Sequence, residues 1–198
     1  RTFAKYSQVQ PANGLNGAQA AAAVLRSSGL PDLSINPVAG QLSDHYDPRT
    51  RTLNLSADVG GASSLAALGV AAHEAGHAIQ DAKRYAPMRI RQALVPAATI
   101  GQSFWFIPVV LGLIMGLTGL VTIGLILFAV IVLFQLVTLP VEFDASKRAL
   151  VALEGQGLLA ADEVPGAKAV LNAAALTYIA GFVAALGQLI YFFALSRN

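Results

Sequence analysis

Residues 92–141, QALVPAATIGQSFWFIPVVLGLIMGLTGLVTIGLILFAVIVLFQLVTLPV, contain no Asp, Glu, Lys or Arg. A charge-free run of this length suffices for two passes of about 20 residues each across a hydrocarbon core. Gly116-Leu117-Thr118-Gly119 supplies the turn, so the run reads as a transmembrane hairpin with spans over residues 94–115 and 120–139. Pro96 and Pro108 fall in the first span, where each removes a backbone donor and can kink the helix. A second uncharged run, residues 169–196, reads as a third span, and its Ala180, Gly181, Ala184, Ala185 and Gly187 permit close helix packing.

Composition agrees with this. Of 198 residues, 55% are hydrophobic and 12% charged, and the mean hydropathy is +0.59, too apolar for an ordinary soluble domain of this size. The spans carry no ionisable residue, which argues against a channel or transporter. Apart from Arg197, every basic residue lies before the hairpin or between the second and third spans. The positive-inside rule therefore puts these segments in the cytoplasm. The pI of about 9.1 then reads as attraction to anionic lipid rather than to nucleic acid, because the basic residues flank spans. There is no cysteine, hence no disulfide framework or thiol chemistry.

The polar portion carries His73-Glu74-Ala75-Gly76-His77. On a helix, positions i and i+4 share a face, so both imidazoles can reach one Zn²⁺ while Glu74 is placed to activate the attacking water. Ser63 or Ser64 offers an N-cap and the residues up to Ala72 are mostly good helix formers, so the motif falls inside a predicted helix. Only three histidines occur in the chain, and two stand here.

Upstream, Asn16 with Gln19 three residues later predicts a capping box opening a helix that Gly29 closes. Residues 41–46 and 51–55 flank Asp47-Pro48-Arg49-Thr50, a turn sequence, and predict a β-hairpin whose edge could pair with a peptide substrate. His45 lies in that hairpin and reads as a turn histidine. The alternative is that His45, with Tyr46, reaches the metal site as a donor that orients a ligand or stabilises an oxyanion.

Two histidines leave a catalytic zinc one protein ligand short. Glu142 follows the second span and begins the predicted helical run of residues 142–150. It reads as the third ligand, or alternatively as a carboxylate stabilising that helix's N-terminus. Asp144 points about 200° away around the helix and is expected to pair with Arg148.

The segments around His73–His77, residues 139–146 and the hairpin resemble the YugP-type neutral zinc metallopeptidases of bacterial membranes over nearly the whole chain. The resemblance implies a gluzincin-like site with one catalytic zinc, His73, His77 and Glu142 as ligands and Glu74 as general base. It also implies a further span upstream of Arg1. More distantly, the chain is similar to the HtpX membrane proteases, in which an aspartate follows the ligand glutamate by four residues. Ser146 stands at that place here, so Ser146, Asp144 or another group is expected to orient a zinc-bound histidine.

The expected molecule is thus a mainly α, multi-pass protein of a bacterial inner membrane. Residues 1–91 form a cytoplasmic zincin-like α+β portion with one hairpin and the HExxH helix, and residues 92–141 the transmembrane hairpin. Residues 142–168 are a cytoplasmic helix with the third ligand, and residues 169–198 the last span. The expected activity is zinc-dependent peptide hydrolysis at the cytoplasmic membrane face, on protein or peptide substrates close to the lipid bilayer, with no nucleic-acid partner. A non-catalytic zinc-stabilised scaffold and an intramembrane, site-2-like protease are the competing readings. The second is disfavoured by Asp81, Lys83 and Arg84 directly behind the motif.

Overall fold

A computed structural model describes residues 2–196. In chain order its elements are α1 (Thr2–Tyr6), α2 (Gly17–Ser27), β1 (Ser34–Val38), β2 (His45–Asp47), β3 (Thr52–Ser56) and α3 (Ala57–Gly60). These are followed by α4 (Leu65–Ala82), α5 (Ala86–Phe104), α6 (Phe106–Met115), α7 (Thr118–Gly155) and α8 (Val164–Leu195). They pack as two units, one of Arg1–Tyr85 with Val141–Ala175 and one of Ala86–Pro140 with Leu176–Asn198.

In the first unit, α2 opens on the expected capping box. Asn16 Oδ1 accepts from the Gln19 amide at 2.9 Å and Gln19 Oε1 from the Asn16 amide at 3.0 Å. Strands follow in the order β1-β3-β2. β2 and β3 form the expected hairpin, pairing Tyr46 with Leu53. Its first arm is shorter than anticipated, because Leu42 (φ 55°) takes a left-handed conformation that an extended strand cannot contain. β1, parallel to β3, was not anticipated from the sequence. Its residues do not alternate, and Pro37 lowers its strand signal, which an edge strand tolerates. Leu25, Leu53, Leu68 and Leu153 are among the largest side chains wholly buried in this unit.

The close approach of α4 to the carboxyl-terminal part of α7 depends on Gly76. A Cβ there would lie 2.5 Å from the Ala145 carbonyl oxygen, inside any tolerable contact. The glycine lets two backbones meet and so brings the side chains at residues 73–80 onto those at 141–146.

In the second unit, the segment expected as one span is two helices, α5 and α6, bent by 41°. The break at Trp105 follows from Pro108, which has no N–H for the Phe104 carbonyl and whose ring crowds it. Gly116, at φ 68°, ends α6 where the turn was expected. α7 approaches α6 closely at Gly124, where a Cβ would fall 2.4 Å from Val109 Cγ2. Phe128, Val132 and Ala185 form a buried cluster against which Trp105, Ile131, Phe182 and Leu189 pack. Two helices, α7 and α8, are long and apolar enough to cross a membrane, and a third crossing requires counting the bent pair as one span.

α7 also corrects the expectation of a separate helix starting at Glu142. It runs through Pro140 without interruption, so Glu142 lies inside a helix and stabilises no N-terminus.

Candidate metal centre

Ser64, not Ser63, caps α4, accepting from the Ala67 amide at 3.2 Å, while Ser63 Oγ donates to the Leu15 carbonyl at 3.0 Å. The helix then continues through Ala82. His73, Gly76, His77 and Gln80 recur at i, i+3, i+4 and i+7, one stripe of that helix. On α7, Val141, Glu142, Ala145 and Ser146 form the facing stripe.

Between these stripes, His73 Nε2 lies 3.1 Å and His77 Nε2 3.6 Å from Glu142 Oε2. One ligand atom from each of the three residues falls within 4.8 Å of the others, the spacing of a metal site. The two rings stand edge to face, 4.7 Å between centroids. His77 is 8% and Glu142 3% exposed, so water contributes little to satisfying the three.

The far side of each imidazole is also engaged. Gln80, fully buried, donates through Nε2 to the Val141 carbonyl at 2.7 Å and to Asp144 Oδ2 at 2.8 Å. Both partners are acceptors, which fixes the orientation of the carboxamide and leaves Oε1 facing His77 Nδ1 at 3.0 Å. His77 therefore carries a proton on Nδ1, and its Nε2 faces Glu142. Ser146 Oγ lies 3.0 Å from His73 Nδ1 and holds that ring with its Nε2 toward Glu142. A carboxylate and two imidazole nitrogens thus converge on one point. A buried carboxylate calls for positive charge beside it, from a protonated ring or from a metal cation, and His2Glu is a donor set that zinc favours. The three residues would fit a metal ion such as zinc.

Glu74 lies on α4 beside this group. Its Oε2 accepts from the backbone N–H of Tyr46 on β2 at 3.1 Å, so the edge strand holds the carboxylate. Burial pushes the Glu74 carboxyl upward, more than the neighbouring histidines pull it down. A cation in the centre acts in the opposite direction. For His77, burial disfavours the charged ring, but the Glu142 and Glu74 carboxylates and Gln80 outweigh it and raise its pKa.

The remaining sequence candidates divide. Ser146 meets His73. Tyr46 reaches the site through its backbone, for its hydroxyl donates to Asp81 Oδ2 at 2.9 Å and, through burial and that carboxylate, its pKa is pushed up to about 12. His45 is exposed on β2, its Nδ1 2.7 Å from the Ser43 carbonyl and its Nε2 3.2 Å from Asn54 Nδ2, and it does not join the ligand group. Asp144 pairs with Arg148 as expected and also supports Gln80. Gln80 itself was missed by the sequence reading. Its signal was the one-turn spacing from His77 within an otherwise apolar stretch.

The comparisons with known proteins bear on this site. A family model described as "Putative neutral zinc metallopeptidase" matches residues 1–197. The chain is similar to a Bacillus subtilis protein described as "Putative membrane protease YugP", at 39% identity over 196 residues that cover 99% of this chain and 87% of the relative. No solved structure matches.

Proposed function

Because the chain belongs to the family of neutral zinc metallopeptidases, we propose that it hydrolyses peptide bonds, with His73, His77 and Glu142 holding one zinc ion and Glu74 acting as general base. The observation that carries the reading is the convergence of the three ligand atoms, with both imidazoles turned by Gln80 and Ser146 so that Nε2 faces Glu142. Zinc held there supplies Lewis acidity, polarising a carbonyl and acidifying water.

This chain's own residues supply the proton traffic and the positioning. Glu74 takes a proton from the attacking water onto a carboxylate oxygen and returns it to the departing amine, so the C–N bond breaks with a neutral leaving group. The Tyr46 amide holds Oε2 and leaves Oε1 for the water. β2, at the edge of the sheet, offers backbone against which an extended peptide can lie beside Glu74. A purely structural zinc calls for a fourth protein ligand, and among the described residues the group has three.

We place the catalytic residues on the cytoplasmic side of a bacterial inner membrane, from the basic residues that flank the apolar runs, and the substrates among proteins in or near the bilayer. The test is cleavage of casein and of a membrane-tethered peptide by the full chain in detergent or nanodiscs, beside Glu74→Gln, with zinc measured in every sample. The reading expects Glu74→Gln to keep its zinc and to lose roughly 10²–10⁴-fold in rate. Equal rates for the two proteins on every substrate would overturn it.

A further inference from the structure

Away from the zinc ligands, α2, α4 and α7 end around a cavity of about 570 Å³ lined by Ser27, Ser28, Lys83, Asp144, Lys147 and Arg148 among others. Three cations and one carboxylate face one space. Basic residues at helix C-termini ordinarily offset the partial negative charge of the last carbonyls, but backbone amides already serve that purpose here. Leu30 N donates to Leu25 O, Tyr85 N to Gln80 O and Leu158 N to Leu153 O, each at 2.9 Å, closing all three helices in the same way. Among the described residues, neither the Lys83 nor the Lys147 ammonium forms an ion pair.

Arg148 is the fixed member. Its guanidinium binds Asp144 through Nε and Nη2 and lies 5.6 Å from the centroid of the Tyr85 ring. Two of its nitrogens are thereby used, and donors remain for a second oxyanion. Two free ammonium groups and a held guanidinium are the chemistry that binds phosphate.

We propose that this cavity binds the phosphate of an anionic phospholipid headgroup, held by Lys83, Lys147 and Arg148. Two observations favour a lipid over a soluble phosphate. Lys147 and Arg148 follow the charge-free run, which ends at Val141, by about 9–10 Å of rise along α7. That is headgroup depth once the flexible side chains are allowed to reach back. Tyr85 precedes the start of the same run, at Gln92, by seven residues, or about 10 Å of helical rise along α5, and an aromatic ring beside a basic residue is characteristic of a membrane interface.

The site is coupled to the metal centre, and this part rests on the proposed function. Phosphate on Arg148 holds the guanidinium, Arg148 holds Asp144, Asp144 holds Gln80, and Gln80 orients His77.

The test is titration of the full chain in detergent with phosphatidylglycerol, phosphatidylcholine or glycerol 3-phosphate, followed by native mass spectrometry. Wild type is compared with Lys83→Gln/Lys147→Gln and with the control Arg89→Gln/Lys168→Gln. Phosphatidylglycerol affinity is expected to fall about fivefold per lysine removed from the cavity and to stay within twofold in the control, with phosphatidylcholine insensitive to either. Equal loss in the control would mean diffuse surface charge and would overturn the site, as would no loss in the cavity variant. Glycerol 3-phosphate binding as tightly as the lipid, with the same sensitivity, would overturn the lipid assignment. Glu142→Ala keeps lipid binding if the site is independent of the metal reading, which separates the two failures. Zinc loss to a chelator reads the coupling: phosphatidylglycerol slows it at least about fivefold in wild type and not in Asp144→Asn, whereas no slowing in wild type overturns the coupling.

Discussion

Gln80 Oε1 accepts from His77 Nδ1 at 3.0 Å, and the other end of the same carboxamide is held by Val141 and Asp144. One buried glutamine thus orients the ring of His77 and ties α4 to α7. Gln80→Leu removes the acceptor and leaves His77 Nδ1 unpaired. Zinc affinity, measured by chelator competition, is expected to fall about 10–100-fold.

Ser146 has the corresponding place behind His73. Ser146→Ala is expected to weaken zinc about tenfold without unfolding the protein, because the side chain is small. Ser146→Asp, which restores the aspartate of the more distant HtpX pattern, is expected to hold zinc at least as well as wild type in the same competition.

Gly76→Ala tests the close approach of the two helices. The added methyl meets a backbone carbonyl at 2.5 Å, which no rotamer relieves. Thermal unfolding should show a loss of about 1–3 kcal/mol. Ala75→Ser, one residue away, does not touch that contact, so zinc should weaken in Gly76→Ala and remain in Ala75→Ser.

Tyr46 predicts an alkaline limb in stability. Burial and the Asp81 carboxylate raise its folded pKa from about 10 to about 12, so the fold prefers the protonated phenol. That contribution is complete below pH ~10 and is lost as pH rises through ~12. Unfolding followed against pH should fall in this window for wild type, and the Tyr46→Phe variant should lack this component.

The grouping of the candidate metal-binding residues was legible because its rules are local. A helix places His73 and His77 on one face whatever surrounds it, and Glu142 stood out as a carboxylate immediately after a long apolar run. The capping box at Asn16 and Gln19 was legible for the same reason. Long-range geometry was not. β1 has no alternation and includes Pro37, and only the tertiary pairing with β3 makes it a strand. The bend at Trp105 required knowing which of two prolines would break its helix, and Pro96 sits inside α5 without interrupting it. Gln80 carries no motif of its own, and its part depends on Asp144, 64 residues away. The run from Leu139 to Ser146 suggested a new helix after Pro140, whereas α7 continues through it.

The most direct test of the central claim is X-ray absorption at the zinc edge on purified, metal-quantified protein, with Glu142→Ala alongside. The account predicts one zinc per chain bound by two imidazoles at about 2.0–2.1 Å with oxygen completing the shell, and a loss of stoichiometric zinc in Glu142→Ala. A spectrum lacking imidazole scattering, or the same zinc content and shell in Glu142→Ala as in wild type, would contradict it.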